Sequence, residues 1–174
     1  MSDSIQAYAQ ALLAVIRAEG ASGVEDELFS FAQALEGNDE LRQSLADEYV
    51  PAARRQQIVE DLLGKKASNV ALAAVSMVVG AGRIGDLPAI ARRLVDFQAS
   101  SLGQQVAEVR TAVELTDDQK ARLATSLKEV TGNDVAIKVI VDPSVLGGVV
   151  TTIGDTVIDG SVRNRLAQVK SRLG

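Results

Sequence analysis

The sequence predicts a mainly α-helical protein with a small α+β C-terminal part: a six-helix bundle over residues 1–104, then a β-α-β-β-β-α module over residues 105–174. Three observations carry this expectation. Apolar residues recur at helical spacing through the first hundred positions. From Gln105 the period changes to two, in strand-forming residues. Aromatic residues make up only 3% of the 174, so the cores must be built from Ala, Val, Leu and Ile, which suits closely packed helices.

Each element follows from local pattern. Ile5, Tyr8, Ala9, Leu12, Leu13 and Ile16 trace one helical stripe that ends near Gly20. Ser22 to Glu25 has the spacing of a capping box and opens a second helix through Leu28, Phe31 and Leu35, closed at Gly37. A short third helix fits residues 39–46. The fourth carries Pro51 in its first turn, buries Ile58, Leu62 and Leu63, and stops at Gly64. Residues 68–79 are apolar nearly all round, the pattern of the most buried helix of a bundle. Asp86 caps a sixth helix with Pro88 in its first turn and Leu87, Ile90, Ala91, Leu94, Val95 and Phe97 turned inward.

The second part begins with Val106, Glu108, Arg110, Ala112 and Glu114 alternating with Ala107, Val109, Thr111, Val113 and Leu115, a strand pattern. Thr116 to Gln119 is another capping-box pattern, opening a helix through Leu123, Leu127 and Val130 that ends at Gly132. Residues 135–141 form the next strand. Two β-branched runs then flank Gly154-Asp155, a pair suited to left-handed dihedrals in a tight hairpin turn, and Asp159-Gly160 ends the second run. Ser161 caps a last helix. Val162, Leu166, Val169 and Leu173 form its apolar stripe, expected against the sheet, with Arg163, Arg165, Lys170 and Arg172 beside it.

Composition excludes much chemistry. Without Cys there are no disulfides or thiolate nucleophiles, and without His the commonest general base and metal ligand are missing. Catalysis by carboxylates alone would need acids in apolar surroundings, whereas runs such as Glu25-Asp26-Glu27 read as a solvated face. Residues 1–104 hold 9 Lys and Arg against 14 Asp and Glu, and residues 105–174 hold 9 of each. That balance disfavours nucleic acid as a ligand, because phosphate contacts need a basic face. The start of the chain has neither a secretory nor an Arg-rich transit pattern, so a bacterial cytoplasmic location is expected. The longest apolar run, Val70 to Gly82, falls short of the roughly 20 residues of a membrane span.

Gly80-Ala81-Gly82-Arg83-Ile84-Gly85 matches the G-x-G-x-x-G dinucleotide fingerprint, which supports an alternative reading as a small nucleotide-binding oxidoreductase. The fingerprint needs a short strand before it, and the preceding run is long and Ala-rich, as in a helix. A helix end and interhelical turn is therefore the expected structure. Gly147-Gly148 lacks the Lys-Ser or Lys-Thr of a phosphate loop and reads as backbone turning. Tyr8, Ala11 and Val15 on the first helix, and Ala73 and Met77 on the fifth, lie on continuous strips. They suit either plain core packing or a shallow groove that accepts an amphipathic helix. An adaptor that binds helices in some unrelated setting is a further alternative.

The residues Asp142-Pro143-Ser144-Val145-Leu146-Gly147-Gly148-Val149-Val150, followed by Ile153-Gly154-Asp155, by 157–163 (Val-Ile-Asp-Gly-Ser-Val-Arg) and by Leu166, resemble the delta-subunit family of bacterial rotary ATP synthase. Its mitochondrial counterpart is the oligomycin-sensitivity-conferring protein. Tyr8-Ala9-Gln10-Ala11-Leu12 supports the resemblance, and Gly82-Arg83-Ile84 is similar to the family's Asn-Gly-Arg-Leu turn. The resemblance covers essentially the whole length. It implies a non-catalytic stator subunit without a cofactor, peripheral to the cytoplasmic face of the bacterial membrane. Its six-helix domain would grip the N-terminal helices of the alpha subunits, and its C-terminal domain would meet the b subunit of the peripheral stalk. Carried over by position, Tyr8, Ala11, Val15, Ala73 and Met77 would line the alpha-binding groove. Gly147, Gly148, Gly154, Asp159, Gly160, Ser161 and Arg163 would shape the C-terminal domain.

Overall fold

A computed structural model describes residues 2–64 and 66–173, with side chains for 3–64 and 66–168. The side chains of Val169, Lys170, Arg172 and Leu173, expected to extend the two faces of the last helix, lie outside the described residues. The chain divides into two compact units, Met1–Gln98 and Ala99–Gly174. The division falls within the sixth helix, ahead of the 104/105 boundary suggested by the change of period.

The first unit is built from six helices: α1 (Ser2–Ala18), α2 (Val24–Glu36), α3 (Asp39–Ala46), α4 (Ala52–Leu63), α5 (Asn69–Gly80) and α6 (Leu87–Ser101). Its core joins Leu12 of α1, Leu28 and Leu35 of α2, Leu45 of α3, Val59 of α4, Val75, Val78 and Val79 of α5, and Leu87 and Ile90 of α6. Each is almost wholly buried, so the stripes predicted for the first, second and sixth helices are the ones that meet.

Several local expectations are corrected. Ser22 does not cap α2. Gly23 stands at that position with φ 80°, and its carbonyl accepts from the backbone N–H groups of Asp26 and Glu27 at 3.1 Å each. Glu27 instead reaches α5, accepting from Ser68 N at 3.0 Å and from Ser68 Oγ at 2.7 Å. Ser68 Oγ in turn caps α5 by accepting from Ala71 N at 3.2 Å. Pro51 precedes α4 rather than sitting in its first turn. The buried face of that helix is Arg55 and Val59, while Leu62 is exposed and Ile58 and Leu63 are only partly covered. Arg55 Nη1 donates to Leu45 O at 3.3 Å, placing a cation at the C-terminal end of α3, where the helix dipole favours it. The aliphatic stem of an arginine packs like an apolar residue, so a period read from apolar letters alone misses it.

The second unit contains β1 (Gln105–Thr111), α7 (Asp117–Thr131), β2 (Val135–Val141), β3 (Val149–Ile153), β4 (Thr156–Asp159) and α8 (Val162–Leu173). The sheet order is β2-β1-β3-β4, with β1 parallel to β2 and antiparallel to β3. A parallel pair needs a crossover, and α7 supplies it. Its capping box is present, with Gln119 N donating to Thr116 Oγ1 and Thr116 N donating to Gln119 Oε1, and Gly132 ends it in the left-handed conformation. Leu123, Ala124 and Leu127 pack on Ala107, Val135, Ile137 and Ile153, whereas Val130, predicted inward, is exposed. β1 also stops at Thr111, so 112–115 are not strand. Only Gly154 in the hairpin turn has positive φ, 54°, and Asp155 does not.

The last helix is locked to the sheet by its entry segment rather than by its apolar stripe. Gly160 N donates to Val149 O at 2.9 Å and Val162 N donates to Gly147 O at 3.0 Å. The backbone at 160–161 thus crosses directly over Gly148, where a Cβ would stand 2.5 Å from Gly160 O and 2.9 Å from Ser161 Cα. Gly148 also has φ 79°. Both constraints demand glycine. Gly148→Ala should destabilise the second unit by about 2 kcal/mol or more, the sum of a left-handed strain and a backbone collision. Gly85→Ala, with open space and no positive φ, should stay within about 0.5 kcal/mol. Urea unfolding followed by circular dichroism checks both, with a sheet-sensitive signal for Gly148→Ala and a helix-sensitive one for Gly85→Ala.

Candidate partner-binding surfaces

α5 is apolar on every side yet is covered on only one. Ala71, Ala74, Val75, Val78 and Val79 are buried, but Ala73 is exposed and Met77 keeps 48% of its surface, so this is not the fully enclosed helix that its composition predicts. The open side faces α1. Between them runs a groove of about 330 Å³, with Leu12, Val15 and Ile16 on one wall and Val70, Ala73 and Met77 on the other. Glu19 and Asn69 form its polar rim. Val15, 51% exposed, faces Met77 across a largely apolar trough.

Three of the five groove residues expected from sequence therefore converge: Val15, Ala73 and Met77. Tyr8 and Ala11 lie toward the start of α1, outside the lining. Ala11 is exposed, and the Tyr8 ring is covered by Arg83, whose guanidinium carbon stands 4.8 Å from the ring centroid. Sequence reading missed Leu12, Ile16 and Val70 as walls. Leu12 and Val70 stand three positions before Val15 and Ala73, and Ile16 stands four after Leu12, but residues so placed read first as core.

A second open hollow, about 460 Å³, lies among Phe31, Ala34, Leu41, Leu62, Leu63 and Ala67, edged by Asp26, Glu27 and Lys66. It accounts for the exposure of Leu62. The Gly80–Gly85 segment, by contrast, forms no nucleotide cradle. It follows a helix and not a strand, with Ala81 N donating to Met77 O and Arg83 N donating to Val78 O, both at 3.0 Å, and Gly82 at φ 68°. Ile84 then turns into the core, in a 3₁₀ turn over Ile84–Asp86. Asp86 is engaged by Arg83 Nε at 2.8 Å. These bonds satisfy the carbonyls at the end of α5, which is the ordinary work of a helix C-terminus.

In the second unit, the described part of the α8 stripe expected against the sheet, Val162 and Leu166, is not covered there. Val162 is partly exposed and Leu166 is 64% exposed, with Leu146 beside Gly147 exposed as well. Arg163 and Arg165 are exposed on the same helix. The turn before it is held by charge. The Ser161 hydroxyl and backbone N–H, the latter at 2.9 Å, hold the Asp159 carboxyl below its ordinary pKa, with Arg163 adding to the effect. Ser161 Oγ also accepts from Asn164 N at 3.2 Å, capping α8 as predicted. Asp142 repeats the device with Ser144, again through hydroxyl and N–H, and Arg110 assists from 3.9 Å. Among the described residues, no group of three or more His, Cys, Asp or Glu could hold a metal ion, and no helix is long and apolar enough to cross a membrane.

The fold and its surfaces define a two-unit protein, a helix bundle joined to a small α+β unit, that presents apolar grooves and faces rather than a reactive pocket. The chain belongs to the ATP synthase delta (OSCP) subunit family, whose pattern matches residues 5–173. It is 42% identical over 152 residues to an ATP synthase subunit delta of Nocardia farcinica, covering 86% of this chain and 55% of that one. With the subunit delta of Acidothermus cellulolyticus it shares 41% over 165 residues, 93% of this chain and 59% of that one. The chain thus spans little more than half the length of these two relatives. The subunit delta of Desulforamulus reducens matches end to end, at 36% identity over 95% of this chain and 92% of its own. A chain of the Toxoplasma gondii mitochondrial ATP synthase hexamer shares the fold, with a TM-score of 0.59 at 19% identity over 97% of this chain and 96% of that chain.

The Asp159 geometry fixes a sign for pH dependence. Its folded pKa is depressed, so its contribution is present above the unfolded carboxyl value, near about 4, and is lost as pH falls through the lower folded value. The stability difference between wild type and Asp159→Asn should be full at pH 6 and shrink toward zero near pH 2. Thermal unfolding at the two pH values measures it.

Proposed function

We propose that this chain is a non-catalytic stator subunit of a proton-translocating ATP synthase. It joins the N-terminal helices of the alpha subunits of the catalytic head to the b subunit of the peripheral stalk, as a peripheral component at the cytoplasmic face of the bacterial membrane. Family membership supports the complex, and the α1–α5 groove is the single observation that carries the docking role. A twelve-residue α5 is about 18 Å long, room for three turns of an incoming helix. Val15 and Met77 supply half-exposed apolar anchors, Ala73 lets a partner backbone approach closely, and Glu19 and Asn69 offer rim hydrogen bonds. A methionine adapts its shape to the side chain that enters.

The other end is assigned to α8. Val162 and Leu166, with Leu146 brought alongside through the Val162 N to Gly147 O bond, offer an apolar strip. The helix sequence contains Arg163, Arg165, Lys170 and Arg172 and no acid. That combination suits an acidic amphipathic helix of the stalk. Torque resistance calls for broad attachment at two places, and two weak sites acting together hold far better than either alone. The groups that shape the C-terminal unit, Gly147, Gly148, Gly154, Asp159, Gly160 and Ser161, serve geometry in this reading.

Calorimetric titration with a peptide copying an alpha-subunit N-terminal helix tests the first docking site. The expected result is saturable one-to-one binding, weakened at least about tenfold by Met77→Glu because a carboxylate would be buried without a partner. No binding by wild type, or equal binding by the variant, would refute the groove assignment.

A further inference from the structure

Arg83 makes attachments that the groove itself does not explain. It stands after Gly82, in the turn between α5 and α6, and joins three elements at once. Nη2 donates to Ser4 Oγ at 2.9 Å, across 79 positions of sequence. Nη2 also lies 2.6 Å from Asp86 Oδ2, and Nε donates to the same oxygen at 2.8 Å. The guanidinium plane covers the Tyr8 ring. Ser4 and Tyr8 are one helical turn apart and so share one face of α1.

We propose that Arg83 is a positioning residue that fixes the first half of α1 against the end of α5 and thereby sets the width of the α1–α5 groove. This rests on the reading of that groove as a docking site. The wholly buried residues of α1 are Ala9, Leu12 and Ile16, all beyond its first two turns, while Ile5 and Tyr8 are only partly covered. Apolar burial is deepest from Ala9 onward, while Ile5 and Tyr8 pack on the core only in part, so the polar fork adds the hold that the start of the helix lacks. The helices run antiparallel: Glu19 and Asn69 share the groove rim, and Ser4 meets Arg83 at the opposite end. About 16 Å of rigid helix separates Ser4 from Val15, so a tilt at the fork moves the groove wall.

The chemistry favours arginine specifically. A planar guanidinium can stack on Tyr8 while its edge N–H groups point in two directions, to Ser4 and to Asp86, whereas a lysine ammonium retains charge without that fork. Asp86 neutralises the cation and fixes its rotamer, and the pair raises the Arg83 pKa further. The side chain is about one quarter exposed, so the fork closes over the surface and is not buried in the core.

The test uses the full chain and two measurements, amide hydrogen exchange of residues 5–12 and affinity for the alpha-helix peptide. Arg83→Ala should speed exchange in that segment at least tenfold and weaken the peptide at least fivefold, with helix content unchanged. Arg83→Lys should fall between. Arg92→Ala, which removes the Arg92–Glu36 ion pair at 2.8 Å elsewhere on the bundle, should alter neither. The proposal is overturned if Arg83→Ala leaves the exchange of residues 5–12 unchanged, or loosens them without affecting the peptide. Should wild type bind no peptide, the docking reading falls, and the Met77 methyl resonance decides separately. Its displacement in Arg83→Ala supports the clamp, and an unmoved signal overturns it. If Arg83→Ala does not fold, Arg83→Lys and Tyr8→Leu read the same exchange.

Discussion

The bundle depends on one helix that cannot satisfy itself. α5 is apolar nearly all round, and five of its residues, Ala71, Ala74, Val75, Val78 and Val79, are enclosed by the core. With only three Phe and no Trp in the chain, that core is assembled from aliphatic side chains whose small size lets helices approach closely. The geometry that buries one face of α5 leaves Ala73 and Met77 facing outward beside Val15 of α1. The docking role proposed for this groove rests on that open apolar surface.

Rigid attachment is the common theme of the two units, although they achieve it differently. The first has a groove between two helices that pack on a shared aliphatic core, with Arg83 bridging Ser4 and Asp86 beyond one end of it. The second uses backbone crossing: the 160–161 segment runs over Gly148 so closely that no side chain fits between them. Asp159 and Asn164 then tie the entry of α8 to the same crossing, Asn164 Nδ2 donating to Asp159 O at 2.8 Å. A module built this way presents its exposed helix without needing that helix to be buried. For the proposed stator role, stiffness at the attachment points matters more than a reactive group.

Much of this was legible in the sequence because local rules and tertiary structure agree. The six helices, the β-α-β-β-β-α order, the Thr116–Gln119 box and the Ser161 cap follow from capping and periodicity alone. The failures share a cause, which is that tertiary partners override local pattern. Glu27, read as part of a solvated acidic run, binds Ser68 of another helix, and Arg55 occupies a core position by its stem. α8 keeps Leu166 in solvent although its stripe resembles a packed face. The helix end and turn expected at Gly80–Gly85 is what forms, because the Ala-rich run before it is a helix. Spacing put Val15 on one helical strip and Ala73 and Met77 on another, the family resemblance alone brought the strips together, and periodicity does not distinguish a covered stripe from a bare one.

The central claim is that one chain carries two separate attachment surfaces that act together. Light scattering on a mixture of the intact chain, an alpha-subunit N-terminal helix fused to a carrier, and the C-terminal segment of the b subunit tests it most directly. The expected result is a single species containing all three components, with neither partner displacing the other. Mutually exclusive binding, or a stable complex of the two partners without the chain, would contradict it.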